Sequence, residues 1–175
     1  MKTVSATIEI AAPPMAVWTV LTDLSRYPEW NPLFREASGE VAVGKRIMLK
    51  SVRPANGRIM TVKPKVTVVE PGAELRWVAS VPGIMSGEHS FTLRPAGDGT
   101  HLVQSESFRG LLVPFSAKTF ASAEASFRAL NEALNYVPRQ ANRFAPGRPY
   151  PVVWPDQLTS APELDQRTLP AGQPP

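Results

Sequence analysis

His89, Gln104 and Glu106 are the residues of this chain whose types and spacing suit chemistry. An imidazole beside a carboxylate is a base with its orienter, able to take up or relay a proton on a molecule held next to it. The carboxylate would fix the ring tautomer, and the amide would supply a further hydrogen-bonding group. Their placement follows from two alternating runs, Ser86 to Leu93 and Thr100 to Phe108, joined by the turn-rich spacer Arg94-Pro-Ala-Gly-Asp-Gly99. Such a pattern predicts a β-hairpin. Side chains of a strand alternate between faces. Phe91 and Leu93 therefore mark the buried face of the first strand, with Gly87 and His89 on it. Leu102 and Phe108 mark that of the second, with Gln104 and Glu106.

Pairing Pro95 with Thr100 sets Leu93 opposite Leu102, Phe91 opposite Gln104 and His89 opposite Glu106. Three polar residues thus point where the apolar ones point. A buried carboxylate needs a partner or water. The inner face is either a core with one internal polar pair or the wall of a wet cavity. His101 falls on the outer face and needs no role.

The elements around the hairpin follow from periodicity. Thr3 to Ile10 alternates, with Val4, Ala6, Ile8 and Ile10 on one side, as in a half-buried strand. Pro13-Pro14 opens a helix with Val17, Trp18, Leu21 and Leu24 on its apolar face. Tyr27-Pro-Glu-Trp-Asn-Pro32 is a short, rigid connection. Six strands are expected next, near 34–42, 45–53, 57–70, 73–81, 85–94 and 100–109, with Lys63-Pro64 marking a bulge or an edge. Reading Glu70-Pro-Gly-Ala73 as a two-residue hairpin puts Val68 opposite Leu75 and Val66 opposite Trp77. A three-residue loop at Val81-Pro-Gly-Ile84 then brings Trp77 opposite His89, giving a row of Trp77, His89 and Glu106 over three strands. From Val113-Pro114 onward, Phe120, Ala123, Phe127, Leu130, Leu134 and Val137 recur at spacings of three and four. They predict a helix of about 22 residues, ended by Pro138.

Composition bounds the function. The 175 residues, 43% of them hydrophobic, suit one domain plus a tail. The division expected is a domain at 1–140 and a proline-rich tail at 141–175, in which Pro149-Tyr-Pro-Val-Val-Trp154 is the apolar exception. No apolar run is long enough to span a membrane, and the N-terminus lacks a signal peptide's apolar stretch. A cytoplasmic address is the default. With no cysteine in the chain, there is no thiolate nucleophile, disulfide or iron–sulfur cluster. The net charge of +4 is modest and its basic residues are scattered, so nothing marks a nucleic-acid face. No phosphate loop, metal motif or nucleophile elbow is present, and no cofactor is expected.

Ala12-Pro-Pro, Val17-Trp18, Leu21-Thr-Asp23, Tyr27-Pro-Glu-Trp-Asn-Pro32, Gly87 to Leu93 and Glu106-Ser-Phe-Arg-Gly-Leu-Leu-Val-Pro114, in this order of elements, carry a resemblance. Over about residues 1–140 the chain is similar to the START/Bet v 1-like (SRPBCC) superfamily, specifically the bacterial polyketide cyclase/dehydrase and lipid-transport group. The resemblance implies an α+β helix-grip fold: a curved, seven-stranded antiparallel sheet around a long C-terminal helix, with two short helices after the first strand. It also implies a cavity for an apolar or aromatic ligand, lipid or polyketide-like, with Trp30, Phe34, Trp77, His89, Phe91, Gln104, Glu106, Phe108, Phe120 and Phe127 as candidate lining. Trp30 is the one expected at the cavity entrance. Fold does not choose among the group's activities. A ligand-binding protein leads, a cyclase or dehydratase using His89 and Glu106 is the alternative, and a co-chaperone-like interaction module is the third. An oxygenase iron site is disfavoured, because the two histidines sit on opposite faces. The expected partner is a small hydrophobic ligand, with no nucleic acid and no membrane span; a homodimer stays open.

Overall fold

Strand alternation sets the architecture. In β1 (Lys2–Ile10), Val4, Ala6 and Ile10 are buried while Thr3, Ser5, Thr7 and Glu9 face out. The structure is a computed structural model that describes residues 1–52, 59–81, 84–110 and 117–141, the side chains of Val52, 117–122 and 138–141 excepted. The elements after β1 are α1 (Pro14–Thr22), a single 3-10 turn (Leu24–Arg26) and α2 (Tyr27–Trp30). Seven strands follow: β2 (Phe34–Ser38), β3 (Met48–Val52), β4 (Ile59–Val62), β5 (Lys65–Glu70), β6 (Glu74–Val81), β7 (Met85–Ala96) and β8 (Gly99–Gly110). The helix α3 (Ala117–Ala141) closes the order. The expected α+β plan of an antiparallel sheet with a C-terminal helix holds.

The strand count differs from expectation. There are eight described strands rather than seven, in a five-stranded ladder β1-β8-β7-β6-β5 and a three-stranded ladder β2-β3-β4. The stretch expected as one strand over 57–70 is divided at Lys63-Pro64, since proline has no N–H for a ladder. The two ladders are stitched by the irregular segment before β3. There Gly44 N donates to Val66 O, Val66 N to Lys45 O, and Ile47 N to Pro64 O.

The hairpin register is as derived from the sequence: Leu93 lies opposite Leu102, Phe91 opposite Gln104 and His89 opposite Glu106. Trp77 lies opposite His89 and Val66 opposite Trp77. The expected pairing of Val68 with Leu75 is corrected, because Val69 takes that place and Val68 faces Arg76. The turn after β5 contains three residues, with Ala73 N donating to Glu70 O and Gly72 at φ +70°. A bulge between Val66 and Val68 absorbs the extra residue and restores the Val66–Trp77 pair.

The last helix does not end at Pro138 but runs to Ala141. A proline in the final turn removes only one backbone hydrogen bond. Phe127, Leu130, Asn131, Leu134 and Val137 form its buried face, which packs along β1 and against α1, α2 and β8. Val113-Pro114, the Phe120 side chain and the tail from 142 onward, with Pro149 to Trp154, lie outside the described residues.

Candidate functional site

Alternation along β7 and β8 turns Gly87, His89 and Phe91 inward beside Gln104, Glu106 and Phe108. Each is held by a cross-strand partner: Gly87 by Phe108, His89 by Glu106, Phe91 by Gln104. The His89 ring is buried among aromatic rings. It stacks on Trp77 with centroids 5.1 Å apart and planes at 10°. Phe91 lies 4.8 Å away, and Phe127 of α3 meets it edge-on at 5.1 Å. Each such aromatic contact contributes about 0.5–1.5 kcal/mol beyond area burial.

One imidazole nitrogen is hydrogen-bonded and the other faces the carboxylate. Gln104 Nε2 lies 3.1 Å from His89 Nε2, so the amide donates and this ring nitrogen accepts. The ring proton is then on Nδ1, 3.5 Å from Glu106 Oε2. The other carboxylate oxygen, Oε1, lies over Gly87, where a Cβ would come within 2.7 Å of it. A glycine at this inward position is what leaves the carboxylate room. Glu106 is also the one member of the row that water reaches: its side chain is 23% exposed, against 5% for His89. Solvent therefore touches the inner face at this end of the hairpin.

The buried apolar residues fall into two packed groups. The larger spans α1, α2, the sheet and α3, and includes Trp77 and Phe91. The smaller contains Val4, Ala6, Phe108 and Phe127, with half-buried Leu33, Met85 and Ala123 against it. His89, Gln104 and Glu106 interrupt the apolar inner face between Phe91 and Phe108.

The structure thus joins Trp77, His89, Phe91, Gln104, Glu106 and Phe127 by direct contacts, with Phe108 beside Gly87. Trp30 and Phe34 belong elsewhere, around Tyr27. Tyr27 meets Trp30 edge-on at 5.1 Å and stacks on Phe34 at 6.1 Å. Trp30, expected at an entrance, is 5% exposed. The segment owes its form to Asn31, whose Oδ1 accepts from Leu33 N and Phe34 N at 3.0 and 2.9 Å, an Asx turn that starts β2. The buried Tyr27 hydroxyl donates to Leu21 O at 2.7 Å. Burial, with the Asp23 charge second, pushes its phenol well above the ordinary range. His101 faces outward beside Glu9, as expected.

Sequence reasoning passed over Asn131 and Asn135. Asn131 is 1% exposed, and its Nδ2 donates to Ala6 O at 3.3 Å. Both asparagines lie on the side of α3 that carries Phe127, at successive steps of four, and a polar residue in that stripe was the available signal. Among the described residues, no three His, Asp or Glu side chains converge as a metal-ligand group, and no helix is long and apolar enough to cross a membrane.

Comparison with known proteins gives this geometry its relatives. No curated protein matches the chain. Solved structures do. The Zhui aromatase/cyclase from Streptomyces sp. R1128 superposes with a TM-score of 0.67 at 20% identity, covering 84% of this chain and 99% of that one. Protein MLL2253 from Mesorhizobium loti gives 0.66 at 23%, covering 80% and 98%. A START superfamily protein from Mycobacterium smegmatis gives 0.63 at 20%, covering 79% and 97%. At such identities the likeness is one of fold. The family model described as polyketide cyclase / dehydrase and lipid transport matches residues 1–135, and the chain belongs to that family.

Proposed function

We propose that the chain binds a small apolar or aromatic molecule between the inner face of the β7–β8 hairpin and α3. The observation that carries this reading is Glu106, a carboxylate on the inward face of the sheet that solvent still reaches. An apolar surround with a few converging polar groups is the usual make-up of a ligand site. Here Phe108, Phe127, Leu33 and Met85 supply the surround, and Glu106 and Gln104 the polar groups. Family membership supports the same reading. The unit proposed to bind is residues 1–140 and the address proposed is the cytoplasm, the latter checked by fractionation. A thermal-shift panel of sterols, flavonoids, fused-ring aromatics and lipids tests the function: at least one class raises Tm in proportion to log concentration. A panel that leaves Tm unmoved throughout removes the proposal.

A second reading, a cyclase or dehydratase, is favoured by one feature in a form different from that expected. His89 is enclosed by rings, with Nε2 against Gln104 and Nδ1 turned toward Glu106, whereas Glu106 is open on one side. Glu106 is then the base that touches ligand, and His89 the positioning residue behind it. Replacing Glu106 by Gln should leave ligand affinity within about threefold and abolish turnover. Unchanged turnover excludes the reading. The interaction-module alternative rests on the tail, outside the described residues.

A further inference from the structure

Among the described residues, five buried side-chain polar atoms have no hydrogen-bond partner: Trp30 Nε1, Asn31 Nδ2, Gln104 Oε1, Asn131 Oδ1 and Asn135 Oδ1. Native interiors leave few such atoms, and each costs about 1–3 kcal/mol if nothing pairs with it. Three of the five are carbonyl oxygens on the two elements that face the proposed site. The identity of the Asn131 oxygen is fixed by chemistry, since the atom contacting Ala6 O must be the donating nitrogen. Gln104 is oriented the same way in the His89 tautomer that carries its proton on Nδ1, facing Glu106. Ala6 is the register partner of Gln104, so the Asn131 amide bonds to the residue beside Gln104. Two fully buried, unpartnered acceptors therefore flank one β1–β8 pair, with the acidic Glu106 two residues along β8.

The charge balance of this end is one-sided. No Lys or Arg is buried among the described residues, while Glu106 contributes a carboxylate. A ligand carboxylate brought here would meet a like charge and more lone pairs, without a cation to offset its desolvation. A hydroxyl is suited, because it donates to an oxygen and remains neutral. The two unpartnered donors, Trp30 Nε1 and Asn31 Nδ2, lie on α2 and the turn after it, among the residues around Tyr27.

We infer that the ligand of this site is a neutral aromatic or alicyclic molecule bearing a free O–H, donated to Gln104 Oε1 or Asn131 Oδ1, and not a carboxylic acid such as a fatty acid. This rests on the ligand-binding reading above and narrows it.

Four probes of one ring system separate the possibilities: naphthalene, naphthol, the methyl ether of naphthol, and naphthoate. Each is titrated into the full chain at neutral pH and followed by tryptophan fluorescence. Naphthol is expected to bind about tenfold tighter than naphthalene, as a net hydrogen bond to a buried acceptor allows. The ether should fall back to naphthalene's affinity, and naphthoate should bind more weakly than either. In Gln104→Leu the ratio of naphthol to naphthalene affinity should shrink to about threefold or less. If that variant fails to fold, the wild-type ranking decides alone. Equal binding of naphthol and its ether, or a preference for naphthoate, overturns the inference and leaves the ligand-binding reading standing. Failure of all four to bind up to their solubility limits overturns both.

Discussion

At the residue scale, Gly87 and Glu106 are coupled by space. A methyl group at position 87 would sit 2.7 Å from Glu106 Oε1 and 3.5 Å from the Phe108 ring. The carboxylate is the free end of a flexible side chain, so it would swing aside, away from its place facing His89 Nδ1. Gly87→Ala is expected to cost about 1–2 kcal/mol, within the range for overpacking. In a Glu106→Ala background the same change should cost less than half as much. A double-mutant cycle by urea denaturation measures this, and strictly additive losses would show that Gly87 does not make room for the carboxylate. His89 is legible from the other side. Truncating it to Ala beside Trp77, Phe91 and Phe127 should remove about 2–4 kcal/mol of stability, as for a buried large side chain. A loss of activity in that variant therefore says nothing about chemistry until its fold has been checked.

At the scale of the element, Tyr27 ties α1 to the aromatic segment through its bond to Leu21 O, and that bond has a pH signature. The phenol's folded-state pKa is raised by burial and, secondarily, by Asp23. The folded state thus holds the proton to higher pH than the unfolded one. The resulting stability is fully present below the unfolded pKa of about 10 and is lost as pH rises above it toward the folded value. The loss is at most about 1.4 kcal/mol per pH unit for one proton. Tyr27→Phe should cost about 1–2 kcal/mol at pH 7 and flatten the stability profile above pH 10. Denaturation midpoints from pH 8 to 11 would show it, and parallel profiles for the two proteins would refute it. At the end of β8, Gly110 has φ +130°, and a Cβ there would meet Ile84 O at 2.2 Å. Backbone cannot swing away as the Glu106 carboxylate can. Gly110→Ala is expected to cost about 2 kcal/mol or more, read as a drop in Tm.

At the scale of the molecule, the five-stranded ladder, the three-stranded ladder and α3 form one α+β body, to which the family model fits through residue 135. We propose that this body folds without the proline-rich tail: a chain cut after Ala141 should melt cooperatively within about 3 °C of the full chain. That is a shift worth less than about 1 kcal/mol at this size. A larger drop would show the tail to be part of the fold.

The sequence by itself determined which residues of the hairpin share the inner face and that β5, β6, β7 and β8 pair in succession. Period-two alternation and turn residues are local, and together they set Leu93, Phe91 and His89 opposite Leu102, Gln104 and Glu106. It also carried the order of elements and the row from Trp77 to Glu106. It misjudged Val68, because a three-residue turn and a compensating bulge cancel over four residues and leave almost the same pattern. It merged β4 with β5 because a proline break between two strand-like runs looks like a bulge. Tertiary structure alone decided how deep each inward residue lies. Depth depends on what α3 lays over the sheet, and that rests on contacts between positions far apart in the chain, such as Phe127 with His89 and Asn131 with Ala6. Those contacts sealed His89 among rings, left Glu106 reachable by water, and stranded the Gln104 and Asn131 oxygens without partners. The polar row on the β7–β8 hairpin was legible as a set of residues; the division of roles within it was not.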